Sequence, residues 1–536
     1  MKKWIPLILL AAAQFVMVLD SSVMNVAISQ IVQDLDTTIE GVQSAITMYT
    51  LVMAACMLIG AKLGDIFGAH RTFAIGMLVY GSGSLITAIS TSLPVLLFGW
   101  SLIEGLGAAL VMPAIAALAA VTYQGRDRAF AYGVIGGISG AAIAVGPVIG
   151  GWVTANYTWR YVFVAEVVVI LLIMPFRGRM SRAPVRPGRL DMRGAALSAS
   201  GLALVVFGVL QSGSWGWVQP IDPPTINGTD ITPLGFSPVP FIMLAGMGVL
   251  WLLATGLRKR AAAGEPVLVD LDLLRIPQMQ AGLSTLLMQQ LILLGTFFVL
   301  PVYLQVVRGL DAFETGLQLL PLSGALLLFA LAGPKLAARR SIRTVVRIGI
   351  TMLSVGALAI AGAVDPEFAN GFFNLGLLVF GGGAGLLVSQ LGNVIMSSVP
   401  AESTSEAGGL QGTAQNLGAS LGTALIGSIL VAGLANGFTT NVTENQALPN
   451  DVRDAVVARA ETGVQIVPVD DARSIAIDAG LTEDQADALA DDYADAQLRA
   501  LKNSLLIVSL IALLAFWPAR KLPASSLQEP VGAPAT

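Results

Sequence analysis

Fourteen stretches of this chain stay apolar for close to twenty residues, the length of α-helix that crosses roughly 30 Å of hydrocarbon. No other feature narrows its possible folds as far. The stretches fall near residues 5–28, 41–61, 73–91, 95–120, 129–153, 160–176, 194–212, 239–257, 279–302, 315–333, 347–364, 371–397, 407–434 and 501–518. A helix satisfies its own backbone hydrogen bonds, so many such blocks require an all-α polytopic bundle, whereas a β-barrel would need short alternating segments. Of 536 residues, 55% are hydrophobic and 12% charged, against about a quarter charged in soluble domains. The start, Met1-Lys2-Lys3-Trp4, opens like a signal peptide, but Asp20 interrupts the apolar run and no small-residue cleavage pattern follows. We read it as a retained first helix. The single cysteine, Cys56, excludes an intramolecular disulfide and reads as a packing thiol.

Between the blocks, composition marks the organisation. Residues 1–176 form an N-terminal six-helix bundle. Residues 177–193 collect six arginines among Pro184, Pro187 and Gly188, which suits a cytoplasmic linker. An additional helix pair spans 194–257, a second basic linker 258–278, and a C-terminal six-helix bundle 279–518, leaving 519–536 as a tail. If both termini are cytoplasmic, 23 of the 30 Lys and Arg residues lie inside, the orientation the positive-inside rule favours. The outside then includes region 435–500, with thirteen Asp or Glu against four Arg. Its stretches 451–462 and 482–501 have helical composition and form a small cap, either a solvated surface or a gate. Asn227-Gly228-Thr229 matches a glycosylation acceptor by chance frequency alone and is discounted.

Three carboxylates stand inside apolar spans: Asp20 in helix 1, Glu104 in helix 4 and Glu166 in helix 6. A charged carboxylate in hydrocarbon is costly, so it must be neutralised, paired or exposed to a water-filled cavity. No Lys or Arg lies at their depth in the first six helices. Asp20 and Glu104 sit about eight and nine residues from the same face of the membrane. Two such acids in one cavity would share or exchange protons, making all three candidates for proton coupling, with structural hydrogen bonding the plainer alternative. Asn25 either joins helices or meets a substrate.

The segment 60–71 reads as a short cytoplasmic connection in which Gly60, Gly64 and Gly68 allow close backbone approach and Asp65 caps a helix or pairs with Arg71. It serves as a tight turn or as a conformational latch. The Walker glycine pattern is absent, which disfavours ATP hydrolysis, and the lone His70 offers no metal cluster or nucleophile–base pair. We therefore expect no enzyme activity, no metal and no cofactor beyond the proton as coupling ion. Helix 5 carries Gly140, Gly146, Pro147, Gly150 and Gly151, small residues suited to close helix approach, with a proline that bends the helix. In the second half Gln289, Gln290, Tyr303, Gln390, Asn393, Gln411 and Gln415 either line a chamber or bridge helices.

At these residues the chain resembles the fourteen-helix drug/proton antiporters of the major facilitator superfamily. Residues 19–27 (Leu-Asp-Ser-Ser-Val-Met-Asn-Val-Ala) are similar to the family's first-helix signature, 60–71 to its signature between helices 2 and 3, and 140–151 to its antiporter signature. Trp159-Arg160-Tyr161-Val162-Phe163 is similar to the start of helix 6, and 381–393 to a second-half pore helix. The resemblance implies two six-helix bundles around a central cavity, two additional helices between them, and proton-driven export by alternating access. It implies a multi-pass protein of a bacterial inner membrane, a monomer needing no obligate protein partner, in contact with membrane lipids and not with nucleic acid. The implied substrate is a hydrophobic or amphiphilic small molecule, multidrug-like; the alternative is proton-linked export of a specific lipid, metabolite or siderophore. The chain departs from the family pattern at Ser101, where Arg is common, at Glu104, where Gln is common, at Ser29 for Pro and at Glu166 for Asn. The first two changes together point to a rearranged proton path.

Overall fold

The computed structural model describes residues 2–123, 125–180, 190–226, 229–365, 370–400, 403–460 and 464–524. Every expected span carries a helix. We label them α1 (Ile5–Val26), α2 (Ile39–Phe67), α3 (Ala69–Ala88), α4 (Leu93–Leu96, a π-helical stretch Leu97–Glu104 and Gly105–Thr122), α5 (Gly125–Asn156) and α6 (Arg160–Ile173). Then follow α7 (Met192–Trp215), α8 (Val239–Ala262), α9 (Pro277–Val302), α10 (Leu320–Ala337), α11 (Ile342–Ala363), α12 (Asn370–Ser397), α13 (Thr404–Glu444) and α14 (Glu483–Leu514). Among the described residues twelve helices are long and apolar enough to cross a membrane, or up to thirteen with the bent pair in α5 taken as one span. α3 is long enough but too polar to join them, since His70, Arg71 and a run of Gly, Ser and Thr dilute it.

The packing repeats itself. α1 lies on α5, α2 on α4, α3 on α4 and α6; later in the chain α9 lies on α13, α10 on α12, and α11 on α12 and α14. Two seams join these groups, α2 against α13 and α5 against α10. Glycines let the helices meet: a Cβ on Gly60 would collide with the Ala109 carbonyl, one on Gly107 with the Tyr80 backbone, and one on Gly356 with Phe380. With lipid outside the bundle, such small-residue contacts supply van der Waals packing where no hydrophobic drive exists between helices. α7 and α8 pack on each other through Gly201, Gly208 and Gly246. α7 rests on the α2–α13 seam, where Ser428 Oγ donates to the Val209 carbonyl at 3.1 Å.

Two boundaries differ from expectation. α13 is 41 residues long, about 60 Å at 1.5 Å per residue, twice the hydrocarbon thickness. α14 likewise begins at Glu483, behind a capping box formed by Thr482 and Gln485. The acidic region is therefore largely a continuation of these two helices, closed by helices Asn450–Ala460 and Val469–Asp478. The second was not foreseen. Tyr493 Oη accepts from Val467 N at 2.9 Å and donates to the Gln465 carbonyl at 2.8 Å, strapping the connection onto α14. We call this end of the bundle the cap end. Of the expected 177–193 linker, residues 181–189 lie outside the described residues, as do Asn227, Gly228 and the tail beyond 524; its ends belong to the 3-10 turn Met174–Arg179 and to the start of α7 at Met192.

Candidate carboxylate cluster and cavities

Local sequence explains how α4 presents its polar face. Trp100 and Glu104 are four residues apart and share one side of a helical turn, and the π-helical stretch ends at Glu104. Such bulges recur where a helix must re-aim side chains. Gly83 on α3 lets α4 come close enough to bury it, because a Cβ there would lie 2.5 Å from Glu104 N. Gly105 faces Tyr49 and Val52 of α2 in the same way.

Asp20, Glu104 and Glu166 meet in this space. Each offers a carboxylate oxygen within 4.8 Å of the others, and all three side chains are buried. Trp100 Nε1 donates to Asp20 Oδ1 at 3.0 Å and Oδ2 at 2.9 Å. Ser84 Oγ donates to Glu166 Oε2 at 3.0 Å. Both oxygens of Glu104, Oε1 of Glu166 and the hydroxyls of Tyr49 and Tyr80 have no hydrogen-bond partner among the described residues. Tyr49 stacks on Trp100, ring centroids 4.7 Å apart. No Lys, Arg or His is buried among the described residues. The other buried acid, Asp191, is different, for it caps α7 and pairs with Arg260.

Two carboxylates 4.8 Å apart repel by about 3 kcal/mol or more even at an effective dielectric near 20, and three of them make three such pairs. Without a basic partner the cluster can be charged throughout only if a cation sits in it; otherwise it holds protons. Its oxygens are hard ligands of the kind that hold a small cation, and equally the groups that share a proton.

The cluster does not line the chamber between the halves. That cavity, about 90 Å³, is walled on α1 by Met17, Val18, Ser21, Ser22 and Asn25, and across from it by Gln290, Phe297, Gln415 and Asn416. Asp20 lies on another face of α1, turned toward α4. Of the second-half candidates, Gln290 and Gln415 reach this cavity and Gln289, Tyr303, Gln390, Asn393 and Gln411 do not. Gln289 is buried elsewhere, and among the described residues neither amide atom has a partner. Tyr303 Oη donates to the Asp365 carbonyl at 2.9 Å, Gln390 Nε2 donates to Ser389 Oγ at 2.9 Å, Gln411 lies against Gly392, and Asn393 is exposed. The reason is angular: 100° per residue decides what an amide faces, and hydropathy does not fix the zero of that angle. Met17, Met53 and Met112 were not anticipated as lining residues.

The 60–71 segment is also placed differently. α2 runs on to Phe67, so Gly60, Gly64 and Asp65 are helical and the connection is Gly68 alone, at φ 91°, with Arg71 already in α3. Glycine tolerates that backbone conformation and other residues do not. Among the described residues neither Asp65 nor Arg71 forms an ion pair; the pair here is Lys62 Nζ with Glu406 Oε1 at 3.7 Å, joining α2 to α13.

In α5 the axis bends by 43° between Ile143 and Val145. Pro147 has no N–H for the Ile143 carbonyl and crowds it; Ser22 Oγ of α1 donates to that carbonyl at 3.4 Å. Gly146 and Gly150 meet Ser22 and Val23, Gly151 meets the Ala312 carbonyl, and Gly316 meets the Pro147 carbonyl. Gly140 makes only ordinary contact with Leu326. At the cap end Gln305 Nε2 donates to the Val26 carbonyl at 2.8 Å and Gln43 Nε2 to the Thr423 carbonyl at 3.1 Å.

Trp100, Tyr49, Tyr80 and Ser84 are the residues around the carboxylates that the sequence reading passed over. A signal existed: a buried indole N–H or phenol needs a partner, and Tyr80 and Ser84 repeat at four residues.

Residues 10–423 match the family profile described as Major Facilitator Superfamily. The chain is 27% identical over 473 residues to the "Tetracenomycin C resistance and export protein" of Streptomyces glaucescens, covering 87% of this chain and 83% of that one. It is 26% identical over 447 residues to the "Multidrug resistance protein Stp" of Mycobacterium tuberculosis, covering 83% and 78%. Among solved structures, a bacterial homologue of the human lysosomal transporter Spinster superposes with a TM-score of 0.59 at 12% identity over 97% of this chain and 98% of that one. A proton:xylose symporter superposes at 0.53 and 13%, covering 96% and 94%. These two likenesses are of fold.

Proposed function

Because the chain belongs to the Major Facilitator Superfamily, and is a transporter and not an enzyme, we propose that it is a proton-coupled antiporter exporting hydrophobic or amphiphilic small molecules by alternating access. The observation that carries the coupling is the cluster itself: three buried carboxylates with oxygens within 4.8 Å and, among the described residues, no buried base. The resistance and export functions named for its relatives support a small antibiotic-like cargo.

The cycle follows from electrostatics. Facing outside, the cluster takes up protons, which removes the mutual repulsion and lowers the cost of passing through an apolar enclosure. Facing the cytoplasm it releases them, and the restored charge resets the carrier. Asp20 and Glu104 are the principal proton-responsive pair and Glu166 is secondary. The two groups of helices rock about the α2–α13 and α5–α10 seams; the glycines of α5 at the cap end and the Lys62–Glu406 pair at the other end favour alternate orientations. The cap end faces outward and both termini lie in the cytoplasm of a bacterial inner membrane.

In liposomes with an imposed inward proton gradient, the unaltered protein is expected to exchange substrate for protons. D20N abolishes gradient-driven transport, and E104Q weakens or uncouples it. Unchanged coupled fluxes in both variants, at equal insertion, would overturn the site assignment.

A further inference from the structure

One side-chain amide ties the cap end of α1 to α9. α1 stops at Val26, the chain turns at Ala27, and a short helix, Ile28–Asp34, carries on from there. Gln305 reaches this break from the π-helical stretch Tyr303–Val307, which continues α9 past Pro301. Its Nε2 donates to the Val26 carbonyl at 2.8 Å and its Oε1 accepts from the Ser29 N–H at 3.3 Å. A primary amide carries donor and acceptor together, so Gln305 engages the backbone on both sides of the break at once. Ser29 is one of the departures from the family pattern, which favours Pro there; a proline would have no N–H to give.

A glutamine of the other half makes the reciprocal contact. Gln43, near the start of α2, donates from Nε2 to the Thr423 carbonyl of α13 at 3.1 Å. Gly427, one turn further along α13, leaves room for it, because a Cβ there would collide with the Gln43 amide. Each group of helices thus grips the backbone of the other with a neutral side chain, and the two glutamines, Gln305 and Gln43, are only 8% and 3% exposed. Opening the cap end admits water, which replaces these bonds, so they bias the equilibrium without locking it. The opposite end of the α2–α13 seam is held by the Lys62–Glu406 ion pair, whose side chains are 20% and 24% exposed. Salt screens a partly exposed ion pair. An amide–carbonyl bond has no net charge to screen.

We infer that Gln305 and Gln43 form a clasp that holds the cap end shut, and that Gln305 is the positioning residue for the cap end of α1, the helix that carries Asp20 and walls the chamber at Asn25. The inference rests on the alternating-access reading above and adds to it the contacts that must part for the cap end to open. It also divides the two ends by chemistry, a neutral clasp at one and a salt-sensitive pair at the other.

The test is double electron–electron resonance on the full chain in phosphatidylcholine nanodiscs, in a Cys56-free background. Spin labels at the exposed Ile89 and Phe372 report the cap end, and labels at the exposed Phe67 and Arg340 the opposite end. Q305L and Q43L each remove an amide. S29P removes one N–H in the first turn of a helix, where proline is tolerated, and S29A keeps that N–H. S29P and Q43L, which each lose one hydrogen bond, are expected to raise the ratio of cap-open to cap-closed molecules about threefold, and Q305L, which loses two, about tenfold. S29A should leave the ratio unchanged. In the affected variants the opposite-end distance shortens as the cap-end distance lengthens. Raising the salt from about 0.1 M to 1 M shortens the screening length from about 10 to 3 Å; this should favour opening of the opposite end, by the same factor in Q305L as in the unaltered protein. Cap-end distances unchanged in Q305L and Q43L, lengthening at both ends together, or a shift in S29A equal to that in S29P each overturns the clasp. So does a salt response that differs in Q305L. The two readings fail separately. If Q305L leaves the distances unchanged while the unaltered protein exchanges substrate for protons, the clasp falls alone. If the variants shift the two distances as expected but the unaltered protein moves no protons, the antiport reading falls and the clasp stands.

Discussion

The indole of Trp100 bridges both oxygens of Asp20, and it is the residue through which the cluster can be tuned with least disturbance. W100F keeps an aromatic ring against Tyr49 and removes the donor. A hydrogen bond to a charged group contributes about 1.5–3 kcal/mol, so W100F is expected to change gradient-driven proton flux by about tenfold or more at equal insertion; an unchanged flux would count against Asp20 as the responsive group. Gly83 offers a steric test. G83V would press on the Glu104 backbone, and overpacking of this kind costs about 1–3 kcal/mol, read as a lower midpoint of thermal unfolding. At this scale the sequence was partly legible. Asp20, Glu104 and Glu166 stand out because a carboxylate is conspicuous in an apolar helix. Their meeting was not legible, since depth along a helix is one coordinate of three. Trp100 and Tyr80 escaped notice because aromatic residues are ordinary in such helices until their polar atoms are counted.

Among the elements, α5 is the one whose sequence and shape agree most closely. Pro147 accounts for the bend, Ser22 for the orphaned carbonyl, and Gly146, Gly150 and Gly151 for the contacts on both sides. G151L would strike the Ala312 carbonyl and G316L the Pro147 carbonyl, so each should hold the cap end open. Distances between spin labels on the ends of α5 and the Ala312–Gln318 helix should lengthen in both variants; an unchanged distribution would mean that these glycines only pack. The Lys62–Glu406 pair is partly exposed, and such pairs contribute about 0–1 kcal/mol. A double-mutant cycle with K62Q and E406Q should show a coupling no larger than that in stability, together with a shift in the proportion of cap-end-closed molecules. The helices themselves were readable from apolar length; the runs of α13 and α14 beyond it were not, because hydropathy marks only the part of a helix that lies in lipid.

For the whole molecule, repeated pairing of helices and two seams are what the proposed rocking would use, and charge asymmetry along the sequence is what motivates its proposed direction. Introduced cysteines in a Cys56-free background should label from outside within 445–460 and only from inside at the exposed Phe67; the reverse pattern would invert the proposed cycle. That the chain crosses a membrane many times was evident from its apolar blocks. That its acids gather in one group of helices, away from the chamber between the halves, needed the structure. The most direct test of coupling at this cluster is simultaneous measurement of proton and substrate flux in proteoliposomes under an inward proton gradient. The account predicts stoichiometric countermovement for the unaltered protein, none for D20N and reduced or uncoupled movement for E104Q. Substrate leaving down its own gradient with no proton movement would contradict it.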